Sequence, residues 1–195
     1  MSGLLIAAPL RLEELLVRSA SRGASVHRTG MGPRRAEAAA QILLAQPGAA
    51  LLVLGFCGGL DERSVPGEVV VAEEVLAAPD EGHRAEAVSC AGAEALTGAL
   101  ASSGLQARSG RIVCVSRLAL GERRAELHAE GAIAVDMESV WLAAGAGKRP
   151  FATVRVVLDS PSHELLRPRA AAGALRAARA LRRVAATLHE WAPAD

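Results

Sequence analysis

The chain has 195 residues, 51% of them hydrophobic, and a formal net charge of +1. That length allows one domain with a sizeable core, and the balanced charge excludes the basic footprint of a nucleic-acid binder. No apolar run is long enough to span a bilayer, no basic segment precedes the first apolar one, and no repeat or linker marks a boundary. A single cytoplasmic domain over residues 1–195 is the expectation. Tyr is absent and the aromatic residues are Phe56, Trp141, Phe151 and Trp191, so the core has to be built from Ala, Val and Leu. Lys148 is the only lysine; this Arg- and Ala-rich usage looks like compositional bias rather than selection for phosphate binding. Cys57, Cys90 and Cys114 are odd in number and lack metal-ligand spacing, so no metal site is expected and reduced, buried thiols are.

Taken in order, Gly3–Ala8 is an unbroken apolar run, a buried parallel strand stopped by Pro9. Leu12, Leu15, Leu16 and Ser19 then recur at helical spacing, with Arg11, Glu13 and Glu14 at the junction. At least one of the two acids reads as an ordinary helix-start carboxylate. A strand from Val26 enters Gly30-Met31-Gly32-Pro33 and an Ala-rich helix over 34–45; the glycines permit a tight turn and Pro33 suits a first helical position. Leu51–Leu54 is an apolar strand ending in Gly55-Phe56-Cys57-Gly58-Gly59-Leu60, small residues that let backbone N–H groups approach a ligand. Val65-Pro66-Gly67-Glu68 leads to a Val-rich strand, and residues 75–89, with Pro79, Asp80, Gly82 and His83, read as a loop.

A helix over 91–102 and a strand over 110–115 follow, then Ser116-Arg117-Leu118-Ala119. The charged segment 122–130 reads as an amphipathic helix with a solvated face. Ile133–Val135 is a short strand that passes without Gly or Pro into Asp136-Met137-Glu138-Ser139 and a helix-forming run. Asp136 has the character of a helix cap; Glu138 sits where a strand end delivers side chains into the crevice of an open α/β sheet. Phe151–Asp159 is a buried strand carrying Arg155 in its middle, and a buried Arg needs an acidic partner, for which Glu138 is the candidate. A long Ala/Leu/Arg helix over 168–191 closes the chain, its arginines (176, 179, 182, 183) forming a solvated face.

Three blocks together resemble the nucleoside phosphorylase and nucleosidase superfamily: Gly-Phe-Cys-Gly-Gly-Leu followed by Pro-Gly-Glu-Val-Val-Val, Ala-Val-Asp-Met-Glu-Ser, and Val-Arg with an Asp four residues on. The resemblance covers roughly residues 3–170. It implies an α/β fold, three-layer α/β/α around a central mixed twisted sheet, and cleavage of the N-glycosidic bond of a purine nucleoside. Asp159 matches the acid that gives a proton to N7 of the leaving purine, a task that requires burial to favour its protonated form. Glu138 matches the acceptor of the ribose hydroxyls, Met137 would line the sugar, and Arg155 would neighbour Glu138. Phe56, Gly58, Gly59 and Gly32 fall where the family's backbone approaches the substrate.

The nucleophile stays open. Pro9-Leu10-Arg11 is similar to the phosphate-holding junction of phosphorylases, which would make Arg11 a phosphate ligand and phosphate a co-substrate. Glu13 falls near the water-activating Glu of nucleosidases. Val53 and Phe56 stand where hexameric phosphorylases place their other phosphate contacts, which argues for hydrolysis. No cofactor is implied. No aromatic follows Val115 to stack on a purine; Arg117 could do so through its guanidinium.

The Met-Gly-Pro turn, Phe56 and the Asp-Met-Glu-Ser spelling resemble the hopanoid-associated branch, whose substrate is adenosylhopane. Ala-Ala-Pro-Leu-X-Leu-Glu resembles futalosine hydrolase. The first relationship implies a 5′-modified adenosine substrate, and peripheral membrane contact if that substrate is a lipid. A homodimer is the family's implication. A non-catalytic nucleoside-binding protein on the same scaffold is the competing class, and methylthioadenosine-type hydrolysis the competing activity. A dinucleotide cofactor protein is disfavoured because Gly-X-Gly-X-X-Gly is missing after the first strand.

Overall fold

In the computed structural model, residues 3–79, 87–163, 170–189 and 191 are described. The strands are β1 (Leu4–Ala8), β2 (Ser25–Arg28), β3 (Ala50–Gly59), β4 (Val69–Ala77), β5 (Val88–Ser89), β6 (Ala107–Cys114), β7 (Ala132–Asp136) and β8 (Phe151–Asp159). The helices are α1 (Arg11–Arg18), α2 (Pro33–Leu44), α3 (Ala93–Ser102), α4 (Glu122–Ala129), α5 (Ser139–Leu142) and α6 (Ala170–Leu188). The fold is mixed α/β with a central sheet and helices packed on it, as expected.

β1, flanked by β2 and β3, and the β3–β8 pair are all parallel, while β4 runs antiparallel to β8. β3 is the organising strand. Its first part pairs with β1 and β8; at Gly58 and Gly59 it pairs with β7, antiparallel. With β4–β6 and β6–β7 also paired, strands β3, β8, β4, β6 and β7 close on themselves, a curl the sequence did not predict. Smooth, side-chain-free backbone at the end of β3 permits the bend and the register shift that lies between Cys57 and Gly58.

Side chains alternate across β1 and β3, as period-two geometry requires. Leu4, Ile6, Leu52 and Leu54 pack with Val17 of α1, Leu96 of α3 and Leu181 of α6. Leu5, Ala7, Leu51 and Val53 pack with Ala36 and Leu43 of α2 and with Trp141 and Leu142. These are the two outer layers. A third cluster places Leu127 of α4 against Leu60, Val113 and Val135.

Several sequence expectations change. α1 does not bury Leu12 and Leu15, which are exposed; it buries Glu13 and Val17. The segment read as a loop from residue 75 begins as the last part of β4, and Val88–Ser89 pairs back on it; Asp80, Gly82 and His83 lie outside the described residues, as does Pro168. The run after Glu138 is a single α turn followed by a 3₁₀ turn, Ala143–Ala146. α4 is amphipathic, as read from the sequence, but its buried face carries Arg124 along with Leu127. Cys57 and Cys114 are buried and Cys90 half-buried, and burial pushes all three thiols up. Among the described residues no helix is long and apolar enough to cross a membrane, and no His/Cys/Asp/Glu group could hold a metal ion.

Candidate active site

Arg155 has no exposed surface, and it meets side chains from the end of β7 and the start of α5 and a backbone carbonyl of β3, with Glu13 of α1 close enough to act on its charge. Its Nη2 lies 2.7 Å from Asp136 Oδ2 and 3.4 Å from Glu138 Oε2. Nη2 also donates to Ser139 Oγ at 3.0 Å, and Nη1 donates to the Phe56 carbonyl at 3.3 Å. Asp136 is therefore its nearest partner, ahead of the expected Glu138. The cap-like reading of Asp136 also has a counterpart: its Oδ1 accepts from the N–H groups of Glu138 and Ser139, both at 3.2 Å. One carboxylate thus ends β7, starts α5 and neutralises the strand arginine.

Glu138 is buried, and its Oε1 accepts the Gly32 N–H at 3.0 Å. Gly32 has φ 91°, in the left-handed region, so the turn before α2 folds its amide onto the acid at a position that favours glycine. Burial pushes Glu138 up to about 7 against the pull of Arg155, and Asp136 adds to the rise. On spacing alone Glu138 would pass for a solvated first-turn acid; tertiary packing makes it an inward one.

Glu13 resolves the choice between the two acids of α1. Glu14 is half-buried and pairs with Arg18 at 2.8 Å, whereas Glu13 is 1% exposed. Glu13 Oε1 accepts from Phe56 N and Oε2 from Leu10 N, each at 2.6 Å. Burial raises its pKa, with Arg155 the main opposing influence. Gly55 makes this approach feasible: a Cβ there would lie 2.6 Å from Glu13 Oε1 and 2.7 Å from Arg155 Nη1. A glycine inside an apolar strand is the signal that marks such a close approach. Gly55→Ala is expected to destabilise the protein by about 1–3 kcal/mol through overpacking. A urea midpoint unchanged from the wild type would contradict that tight fit.

Asp159 lies at the other end of the site. It is buried and its Oδ2 is 2.6 Å from Nη2 of Arg124, itself 3% exposed. The sequence does not announce this ion pair, because the charges of α4 read as its solvated face. The available signal was the spacing of Arg124 and Leu127 on one helical face. Gly58, Met137, Arg124 and Asp159 line one small cavity of about 40 Å³. Gly59 is buried beside Ser64, and Phe56 and Met137 are half-buried. Arg11 and Arg117 are both exposed, and neither contributes to the contacts that tie the cluster together. A groove of about 770 Å³ lined by Met31, Gly32, Pro33, Arg34, Ser116 and Trp141 adjoins Glu138 through Gly32.

The arrangement offers acidic acceptors on a guanidinium at one end and a carboxylate–guanidinium pair at the other, with glycine backbone between them. That combination suits a polar ligand with hydroxyls at one end and a hydrogen-bonding ring edge at the other.

Known structures share this frame. The S-adenosylhomocysteine nucleosidase of Streptococcus pyogenes, in complex with 5-methylthiotubericidin, superposes with a TM-score of 0.78 at 16% identity, covering 96% of this chain and 97% of that one. The 5′-methylthioadenosine/S-adenosylhomocysteine nucleosidase of Neisseria meningitidis, with methylthio-immucillin-A, gives 0.78 at 20% identity over 98% and 100%. The futalosine hydrolase of Helicobacter pylori gives 0.76 at 15% identity over 96% and 95%. At these identities the likeness is one of fold. No curated protein matches the chain in sequence. The sequence profile described as Phosphorylase superfamily matches residues 15–186, most of the chain. The chain therefore belongs to the phosphorylase superfamily, a family of enzymes that cleave N-glycosyl bonds.

Proposed function

We propose that the protein hydrolyses the N-glycosidic bond of a 5′-modified purine nucleoside, adenosine being the favoured one. The observation that carries this reading is the convergence of Glu13, Glu138 and Arg155 on one buried cluster, with Asp159 across the glycine loop. Glu138 accepts the ribose hydroxyls, and Met137 packs on the sugar. Negative charge from Glu138 and Glu13 stabilises a C1′ centre that becomes oxocarbenium-like as the bond breaks. The base lies on the Asp159 side, where hydrogen bonding to its ring nitrogens makes it a better leaving group.

Water is favoured over phosphate as nucleophile. Glu13 is inside the cluster, while Arg11, the residue a phosphorylase would use, is exposed outside it. The test is base release from methylthioadenosine, adenosine and a long-chain 5′-alkyl adenosine, each with and without phosphate. Release indifferent to phosphate supports hydrolysis. Release that needs phosphate and yields a sugar 1-phosphate makes the protein a phosphorylase and reinstates Arg11. No release from any substrate supports the binding-protein reading.

The finer assignment, a lipid-linked adenosine such as adenosylhopane, is supported by the Met-Gly-Pro turn and by the groove beside Gly32, in which Met31, Pro33 and Trp141 give apolar surface. It predicts that the 5′-alkyl adenosine outperforms methylthioadenosine, and the reverse order rejects it.

The raised Glu138 sets a pH dependence. Its carboxylate is the stronger acceptor for ribose hydroxyls, so KM is expected to fall as pH rises through about 7. One unit below that value about a tenth of the groups are ionised, so KM near pH 6 rises up to about ten-fold over its alkaline plateau. Initial rates from pH 5.5 to 8.5 check this, and a KM flat across the range removes Glu138 from ribose binding.

A further inference from the structure

The arginines of α6 take no part in the site described above. Between Ala170 and Leu188 the helix carries Arg176, Arg179, Arg182 and Arg183 and no acid, so none of them has a counter-ion on its own helix. Like charges three and four residues apart repel and weaken a helix, yet Arg176, Arg179 and Arg183 repeat at that spacing. All three line one groove of about 570 Å³, whose opposite wall is made by segments 65–68 and 104–106. Among the described residues that line it, Glu68 is the one acid, and its Oε1 already lies 2.9 Å from Arg108 Nε. A strong local excess of positive charge therefore sits in a recess of a chain whose net charge is only +1.

The recess has a fixed end and a free end. Arg183 Nη2 donates to the Ser103 carbonyl at 2.7 Å, which pins that guanidinium. Gly104, with φ 77°, lets it lie close: a Cβ there would be 3.4 Å from Arg183 Nη2. Arg176 and Arg179 are exposed and make no hydrogen bond or ion pair among the described residues. The helix runs close to the opposite wall, since a Cβ on Gly173 would be 3.2 Å from Pro66 and one on Gly67 3.5 Å from the Arg176 backbone. The N–H groups of Gly67 and Gly104 are spent on the carbonyls of Val157 and Ala101, so the arginines have to supply the donors to any ligand.

We propose that this groove binds a soluble anion carrying several linked phosphate groups, such as an inorganic triphosphate or the phosphate chain of a nucleotide. A guanidinium meets phosphate with two parallel N–H donors and keeps its charge at any working pH. Arg176 and Arg183 are seven residues apart, about 10 Å along the helix axis, a spread that suits a chain of phosphates better than a single one. The recess between helix and loops admits such a chain lengthwise, whereas the flat surface of a bilayer would meet only its rim. The inference does not depend on the nucleoside reading, since Glu13, Glu138, Arg155 and Asp159 lie outside the groove lining.

Calorimetry on the full chain at about 150 mM salt, with inorganic tripolyphosphate and orthophosphate as probes, tests it. Tripolyphosphate is expected to bind once per chain and about ten-fold or more tighter than orthophosphate, because a charged hydrogen bond is worth roughly that factor. Arg176→Gln and Arg179→Gln are each expected to weaken it by about ten-fold. Arg182→Gln removes the same charge from the same helix outside the groove lining, and is expected to change the affinity by no more than about two-fold. An equal loss in Arg179→Gln and Arg182→Gln would reveal a diffuse field with no site and overturns the proposal. So does equal affinity for the two probes, or no binding of either. Co-sedimentation with phosphatidylglycerol vesicles tests a lipid source of the same phosphates. The protein is expected to stay in solution, and pelleting that Arg179→Gln abolishes makes this face a membrane contact and overturns the soluble ligand.

Discussion

Replacing Arg155 with methionine is expected to lower stability by about 3–5 kcal/mol, because it strips the shared counter-charge from a buried acidic cluster. Arg155 has no exposed surface, and Glu13, Asp136 and Glu138 are each 5% exposed or less. All three raise its pKa, which is how strongly they favour its charged form over the burial that opposes it. Methionine fills much of the same volume without restoring the charge, so the loss is electrostatic. For a chain of this size that corresponds to a fall in Tm of roughly 6–20 °C. The pH dependence gives the expectation its sign. In the wild type Glu138 titrates at about 7, above the ordinary 4.5. Between those values the native state holds a proton that the unfolded chain has released, so stability falls as pH rises through that window. Without Arg155, Glu13 and Glu138 resist ionisation further. The deficit of Arg155→Met is therefore expected to be smallest near pH 5 and largest above pH 7. Urea unfolding of both proteins at pH 5 and pH 8 checks it, and equal deficits at the two values would show that Arg155 acts through packing and not through charge.

Asp159→Asn is expected to reduce kcat/KM by at least ten-fold, and by about 10²–10⁴-fold if leaving-group activation runs fully through this position. Asparagine keeps the shape but removes the charge that orients Arg124 at 2.6 Å. It also replaces an acceptor facing Gly58 with a group that can turn either its oxygen or its amide towards the base. The loss is expected whether Asp159 itself gives up a proton to the base or holds Arg124 in place at this end of the site. Steady-state turnover with the best nucleoside of the panel, alongside circular dichroism to establish folding, is the measurement. Near-wild-type turnover in a folded Asp159→Asn would remove this end of the site from the mechanism.

Much of the frame was legible in the amino-acid order, because it depends on local pattern. Unbroken apolar runs marked β1 and the first part of β3, a mostly apolar run interrupted by Arg155 marked β8, and Gly32-Pro33 marked the start of α2. Strand ends placed Gly58, Gly59 and Asp159 together, since the parallel strands β3 and β8 deliver their carboxyl ends to one side of the sheet, whereas Glu138 follows β7, which meets the end of β3 antiparallel. Arg155 announced a buried acidic partner because a lone charge inside a strand is untenable.

What the order of residues left open depends on contacts between positions distant in the chain. Whether Glu13 or Glu14 points inward was decided by the Phe56 N–H and the space left by Gly55, 42 and more residues away in sequence, where α1 meets β3. Periodicity favoured Leu12 and Leu15 as the inner face, and the hydrogen-bond demand of the β3 end outweighed it. Asp136 reads as a cap in one dimension and becomes the nearest counter-ion of Arg155 only when β7 and β8 are brought together. Arg124 belongs to a helix rich in charge, where its spacing to Leu127 is the local sign that sets it apart from Arg123; its burial comes from α4 folding over the end of the closed sheet against Asp159. The sequence by itself determined the layers, the strand ends and the residue types available to the site. Tertiary structure alone decided which acid faces which guanidinium, because an ion pair in a water-excluded crevice is set by distances of a few ångströms that no local pattern encodes.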